Sequence, residues 1–332
     1  SSDLTNEILT MFIELIDSVI RECDKIRNSF IRSDLFDYFF VLFIEDAELV
    51  TKILVIITLS ASTNDLAKQK IAELYGGIAF DRINQLLENV EQLADTQTNV
   101  FDLCMILLAY CIPYISEEDT DHIKCSLINL ISYINPSNEK ITINTYNLID
   151  LGIQRALEAF PFAIETLVNS KIMDNIDGML QKYGPSLDEK AVELTKITTN
   201  ILLTISLQET DVLIYDYDTL PSFIDTIGHC CLHCDIDTAG RSLGVVANFI
   251  RTGEIKVSTL NEFNFSNAIL RTALQTGSFR IKENAMLCIY EMVVVSEPDV
   301  LIYAISPDIL EVLATSIIEY NKGKETYWIE MI

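Results

Sequence analysis

Short apolar segments recur in the C-terminal half of the sequence at nearly constant intervals. Aligned on Ile172, Leu220, Phe265 and Ile309, successive segments stand 48, 45 and 44 residues apart. Within each segment the apolar residues follow the three-to-four-residue spacing of an amphipathic helix. A period of this length is typical of stacked helical repeats, in which each repeat buries its apolar face against its neighbours.

The composition also favours helices joined by short connections. The chain has 11 glycines and 7 prolines among 332 residues, which is about 5% where average usage is about 12%. A sandwich or barrel rich in turns requires more of both residue types. Because apolar residues make up 49% of the chain, we predict a large buried core.

The helical period extends along the whole chain, and no stretch alternates convincingly as a strand would. We therefore predict an all-α protein, a right-handed α-α superhelix of about six to seven repeat units without a sheet. Ser186 with Glu189 has the spacing of a capping box before a long apolar run. The expected organisation is an N-terminal capping helix over 1–30, divergent repeats over 31–160, the clearest repeats over 161–296 and a C-terminal capping unit over 297–332.

The last helix of each clear repeat, which we call its third helix, carries a polar position in a common register. The third helices are predicted near 187–205, 237–252 and 279–295. Aligned on Asn200, Asn248 and Glu291, their steps are 48 and 43 residues, and Gln154 occupies the same register in an earlier repeat. A helical ladder of this kind directs side chains one period apart towards a common groove.

The repeats at 162–206, 212–253 and 258–296 resemble armadillo-type repeats, which have three helices per repeat of about 42 residues. HEAT repeats share the period and much of the pattern. The resemblance implies an α-solenoid of the importin-α and β-catenin kind. It also implies a concave binding surface built from the third helices, and it implies no catalytic chemistry.

One departure from importin-α concerns its regular pairing of a Trp with an Asn one helical turn later. Four residues before the register positions, this chain has Lys196, Gly244 and Leu287, and its single Trp is Trp328. The slots that importin-α offers to basic side chains are therefore not expected. A nuclear transport adaptor that recognises basic localisation signals remains the alternative to a general protein-interaction scaffold.

The predicted binding groove follows from the polar register. An Asn side chain offers one acceptor and two donors, so it can bind a peptide amide without reading the peptide's sequence. We expect the register Asn side chains to bond the backbone of an extended ligand and the register Glu to pair with a basic side chain. The alternative is that these are merely solvated polar positions. The predicted groove residues are Gln154, Lys196, Asn200, Arg241, Asn248 and Glu291.

The net charge restricts the choice of partners. The chain has 49 acidic and 23 basic residues, giving a formal charge of −26. Nucleic acid and anionic membrane surfaces would be repelled, so we expect a protein or peptide partner of basic character. Solubility alone is the other explanation of the acidity. The acidic N-terminal segment lacks the basic region of a signal peptide, so we expect a cytosolic or nuclear location with reduced cysteines.

Two local motifs suggest chemistry, and a hydrolase or metal-dependent enzyme is the third functional hypothesis. Residues 240–244 match G-x-S-x-G, but no strand precedes Ser242 and no His follows it. In the segment 229–234, His229 with His233 and Cys230 with Cys234 are each spaced by four residues and could bind a metal. On one helix, however, the His pair and the Cys pair would lie about 100° apart. We predict no catalytic residue, no cofactor and no metal, while binding by His229, Cys230, His233 and Cys234 stays open.

Overall fold

Helices account for all the regular secondary structure that the computed structural model describes. It describes residues 2–41, 47–75, 120–138, 141–208, 220–257 and 279–295, with single positions within 103–115, 268–272 and 307–314. In these ranges there is no strand, and no helix is long and apolar enough to cross a bilayer. The helices are α1 Ser2–Glu22, α2 Asp24–Ile31, α3 Asp34–Val41, α4 Ala47–Thr63, α5 Asp65–Tyr75, α6 Thr120–Tyr133, α7 Ile143–Ala159, α8 Ala163–Asn169, α9 Ile172–Tyr183, α10 Glu189–Ser206, α11 Leu220–Cys231, α12 Ile236–Thr252 and α13 Phe279–Val295.

Side-chain caps fix the beginnings of the long helices. Asp235 accepts a hydrogen bond from the Thr238 amide at 2.8 Å at the start of α12. Asp188 caps α10 in the same way through the Ala191 amide. The capping box predicted at Ser186 is therefore wrong, because Ser186 stands two residues before the N-cap and its hydroxyl oxygen accepts from the backbone N–H of Asp188.

The chain divides into two compact units. The first unit comprises Ser1–Tyr133 with Asn138–Ser170, and the second comprises Ile134–Ser137 with Lys171–Ile332. The expected single array of six to seven repeats stays a prediction, as do its internal boundaries and the capping unit over 297–332, which lies almost wholly outside the described residues.

In the first unit, α1 packs against α2 and α4, and α8 packs against α6 and α7. The single helix expected over 1–30 is wrong, because the helix is interrupted at Cys23, whose backbone is extended. The Arg27 side chain stabilises the break, since its Nε donates to the Ile20 carbonyl oxygen at 2.9 Å and so satisfies one of the free carbonyls at the end of α1. Neither Gly nor Pro marks this position in the sequence.

In the second unit, the helices form two sets. The shorter α9 and α11 pack against each other, and each packs against the long helix that follows it, α10 or α12. The long helices also pack side by side, with α12 contacting both α10 and α13. The third helices predicted near 187–205, 237–252 and 279–295 are thus confirmed to within two residues, and they are neighbours in space.

Candidate functional site

One face of α10 stays partly open to solvent in the second unit. Glu193, Lys196 and Asn200 are all half-buried, whereas the residues between them are mostly buried. Their spacing of three and four places them on one side of the helix. Two of the predicted groove residues, Lys196 and Asn200, therefore lie on this common face one turn apart.

Two residues of α12 join this face. The Arg241 Nη1 donates to the backbone oxygen of Lys196 at 2.9 Å, which ties α12 to α10. The Lys196 Nζ lies 3.0 Å from the Glu193 Oε1 and 4.0 Å from the Asp237 Oδ2. The two carboxylates remain 39% exposed, so solvent and ligands can reach them. We call Glu193, Lys196, Asn200, Asp237 and Arg241 the α10–α12 surface.

The α10–α12 surface is of mixed charge, since the Lys196 ammonium lies between two carboxylates and the Arg241 guanidinium contacts the backbone of Lys196. Sequence reasoning missed Glu193 and Asp237. Asp237 follows Glu193 by 44 residues and Arg241 follows Lys196 by 45, whereas the apolar segments of the same two repeats, aligned on Ile172 and Leu220, are 48 residues apart. The step of 48 between Asn200 and Asn248 equals that apolar step, so the repeat period gave no signal for Glu193 and Asp237.

The expectation that Asn248 is exposed in a groove is wrong. Only 1% of this residue is accessible, and its Nδ2 donates to the Ser206 Oγ at 3.0 Å. The cause is packing, because α10 and α13 both cover α12 and leave every residue from 242 to 250 buried. Asn248 is a hydrogen-bonded residue between α10 and α12.

Glu291 is also buried, with 6% of the residue accessible. Burial raises the pKa of its carboxyl group, and the charge of Arg251 opposes that rise. The preceding residue, Tyr290, is exposed instead. One residue turns a helical side chain by about 100°, so the predicted position on α13 faces inward although the residue before it faces solvent.

Gln154 lies in the first unit, on α7. It is half-buried, and its Nε2 donates to the Asp150 Oδ1 at 3.0 Å, one turn earlier on the same helix. Its predicted place on a ladder with Asn200 stays a prediction, since Asn200 belongs to the second unit.

The G-x-S-x-G match lies in the middle of α12 and serves packing. Ser242 is fully buried and its Oγ donates to the Thr238 carbonyl oxygen at 2.8 Å. A Cβ atom on Gly240 would lie 2.5 Å from the Ile281 Cγ2, and one on Gly244 would lie 2.9 Å from the Asn284 Cγ. Both glycines therefore allow α13 to approach α12 closely.

The segment 229–234 is not one regular helix, because α11 ends at Cys231. The His233 Nδ1 accepts a hydrogen bond from the Asp235 backbone N–H at 3.0 Å, and His233 is buried while Cys234 is exposed. The His229 Nδ1 lies 2.8 Å from the Asp225 carbonyl oxygen. In the part of the chain that the structure describes, no group of three His, Cys, Asp or Glu side chains is placed to hold a metal ion.

Solved structures of designed repeat proteins are similar to this chain. The designed armadillo repeat protein YIII(Dq)4CqI is 14% identical, with a TM-score of 0.54 over 76% of this chain and 96% of its own. A second design, YIII(Dq.V1)4CPAF, was solved in complex with a (KR)4 peptide, and it is 14% identical with a TM-score of 0.55 over 78% of this chain and 99% of its own. An engineered protein from a structural genomics consortium is 12% identical, with a TM-score of 0.57 over 78% of this chain and 98% of its own.

No protein-family model matches the sequence, and no curated protein matches it. The assignment of the fold therefore rests on the similarity to these solved structures. The chain has an all-α, armadillo-like repeat fold, as the recurrence of helical segments predicted.

Proposed function

We propose that this chain is a non-enzymatic protein-interaction scaffold, and that its α10–α12 surface binds an extended, basic segment of a partner protein. The observation that carries the proposal is the placement of Lys196 between the carboxylates of Glu193 and Asp237 on two adjacent third helices. A Lys or Arg of a ligand can take the place of the Lys196 ammonium at either carboxylate. The exchange conserves charge pairing and requires no movement of the helices.

The backbone of the ligand can be held separately from its side chains. Asn200 lies on the same face one turn beyond Lys196 and is half-buried. A carboxamide at that position can donate to a peptide carbonyl and accept from a peptide amide. Net charge supports the choice of a basic ligand, since the chain carries −26 and would attract such a segment over long range.

The fold supports a binding role. One similar designed armadillo repeat protein was solved in complex with a (KR)4 peptide. An exposed ion pair contributes only about 0.2–1 kcal/mol, so useful affinity requires several contacts along successive third helices. Repeat folds supply such contacts by extending one surface along neighbouring repeats.

The test is fluorescence anisotropy with a labelled peptide of alternating Lys and Arg, measured at low and at physiological salt. The double variant Glu193→Gln with Asp237→Asn should bind about tenfold more weakly, because both ion-pairing carboxylates of the surface are lost. Asn200→Ala should weaken binding by about 1 kcal/mol.

The matched control is Asp24→Asn with Glu158→Gln in the first unit. Each of these carboxylates also pairs with a basic residue three positions away on its own helix, at 3.0 Å, and the change in net charge is the same. This variant should bind within about twofold of the unmodified chain. Equal losses in the two double variants would mean that the peptide responds only to net charge, and the α10–α12 surface would be rejected.

A further inference from the structure

Helix α1 in the first unit has two apolar faces, and only one of them is covered. Ile13 and Ile20 are buried to 1% accessibility or less where α1 packs against its neighbours. On another side of the helix, Ile8 is 60%, Met11 70% and Leu15 60% exposed. Phe12, at 40%, widens this exposed set. We call Ile8, Met11, Phe12 and Leu15 the α1 stripe.

The α1 stripe has the spacing of a helix-packing seam. Its residues follow the i, i+3, i+4, i+7 pattern, which is how a helix presents an apolar face to another helix. Four large side chains exposed to this degree form a contiguous patch of a few hundred Å², a size at which apolar patches on protein surfaces commonly mark interaction sites.

The helix that carries the stripe is anchored to the rest of the first unit. Its buried face packs against α2 and α4, and the Lys52 Nζ of α4 lies 2.7 Å from the Glu14 Oε1. The stripe is therefore presented on a fixed helix, so a partner would not have to order α1 on binding.

The charges beside the stripe indicate which occupant fits. Glu7 and Glu14 are exposed and lie seven residues apart along one edge of the stripe, and the exposed Glu22 lies seven residues beyond Leu15. Since Glu14 pairs with Lys52, Glu7 and Glu22 supply most of the negative charge beside the stripe. A second copy of the chain would bring like carboxylates together, and an anionic membrane surface would be repelled as well. A helix with an apolar seam flanked by Lys or Arg complements both the stripe and its acidic edge.

We propose that the α1 stripe is a second docking surface, which binds a basic amphipathic helix of a partner protein. The surface lies in the first unit, and the proposal does not depend on peptide binding by the α10–α12 surface in the second. The two surfaces differ in chemistry, since one would receive an extended segment through charge and hydrogen bonding and the other a helix through apolar contact.

The probe is a synthetic peptide of about 21 residues, or three heptads, with Leu along one helical seam, Lys beside the seam and Gln elsewhere. A second peptide has the same composition in an order that gives no apolar face. Titration calorimetry at physiological salt should show the amphipathic peptide binding at least about tenfold more tightly than the scrambled one. Equal affinity for the two peptides would overturn the proposal.

Two triple variants assign the site. Replacing Ile8, Met11 and Leu15 with Ser should remove the preference for the amphipathic peptide while all charges remain. Replacing the exposed Ile128, Leu187 and Leu207 with Ser removes as many exposed apolar residues elsewhere and should leave the preference intact. Circular dichroism should show both variants folded, since the substituted side chains are exposed.

Either of two further results would overturn the proposal. The first is an unchanged preference in the α1 stripe variant, which would place the peptide elsewhere. The second is a concentration-dependent dimer in analytical ultracentrifugation that the stripe variant abolishes, which would make a second copy of the chain the occupant. Neither result bears on the Glu193 and Asp237 variants that test the α10–α12 surface.

Discussion

The close approach of α12 and α13 makes the substitution Gly240→Ala a sensitive test of the packing in the second unit. A Cβ atom on Gly240 would lie 2.5 Å from the Ile281 Cγ2, 3.2 Å from its Cβ and 3.4 Å from its Cα. The distance to the Cα is an ordinary contact, but the other two are too short. A rotamer change at Ile281 moves the Cγ2 and leaves the Cβ in place, so α13 itself has to shift slightly.

Two opposing effects set the change in the free energy of unfolding that Gly240→Ala causes. Replacing Gly with Ala inside a helix ordinarily stabilises it by about 1 kcal/mol. Adding a methyl group to a well-packed contact costs about 1–3 kcal/mol. At Gly240 the contacts with the Cγ2 and the Cβ of Ile281 are both too short, which places the cost at the upper end, so we expect a net loss of about 1–2 kcal/mol.

Urea unfolding followed by circular dichroism measures this loss, and Gly152→Ala is the matched control. Gly152 also lies inside a helix, α7, but a Cβ there would meet only the Leu130 Cδ1, at 3.2 Å. The end of a Leu side chain can rotate away, so this control should be neutral or stabilising by up to about 1 kcal/mol. If Gly240→Ala is as stable as the unmodified chain while the control behaves as expected, the described approach of α13 to α12 is wrong.

Three further predictions concern buried groups. Asn248→Ala should destabilise the chain by about 1 kcal/mol in thermal unfolding, because it removes a buried hydrogen bond to the Ser206 Oγ while the Ser206 hydroxyl keeps its bond to the Leu203 carbonyl oxygen. It should leave peptide affinity unchanged. Burial raises the pKa of Glu291, so ionising its carboxyl group in the folded state lowers stability as the pH rises. Glu291→Gln should therefore raise the melting temperature near pH 8, and this gain should shrink towards pH 5. Burial raises the pKa values of Cys230 and Cys288 to about 12, so iodoacetamide should modify the exposed Cys234 at least about tenfold faster, as peptide mass spectrometry can measure.

The third helices were predictable because apolar residues recur every three to four positions along a long amphipathic helix. The observed bounds of α10, α12 and α13 follow the predicted ranges to within two residues. Local chemistry also set some ends, since Gly253 adopts a left-handed conformation with φ 80° at the end of α12. The break at Cys23 was not predictable, because it depends on a contact made by the Arg27 side chain.

The open face of the third helices could be predicted only in part. Of the predicted groove residues, Lys196 and Arg241 lie next to each other, and Asn200 lies on the same face as Lys196. The errors at Asn248 and Glu291 arose because a polar residue was assumed to face solvent. In a layered repeat the middle helix is covered on both sides, so its polar residues bond to neighbouring helices, as Asn248 does, and the repeat period alone does not identify the open face.

Photo-cross-linking is the most direct test of the proposal that an extended basic segment binds along α10 and α12. The probe is a Lys–Arg peptide that carries a photoreactive group at its centre, and mass spectrometry maps the products. We expect the cross-links to concentrate on Glu189–Ser206 and Ile236–Thr252 and to decline when the peptide is displaced by an unlabelled copy. Cross-links spread over both units, or concentrated in the first unit, would contradict the proposed binding surface.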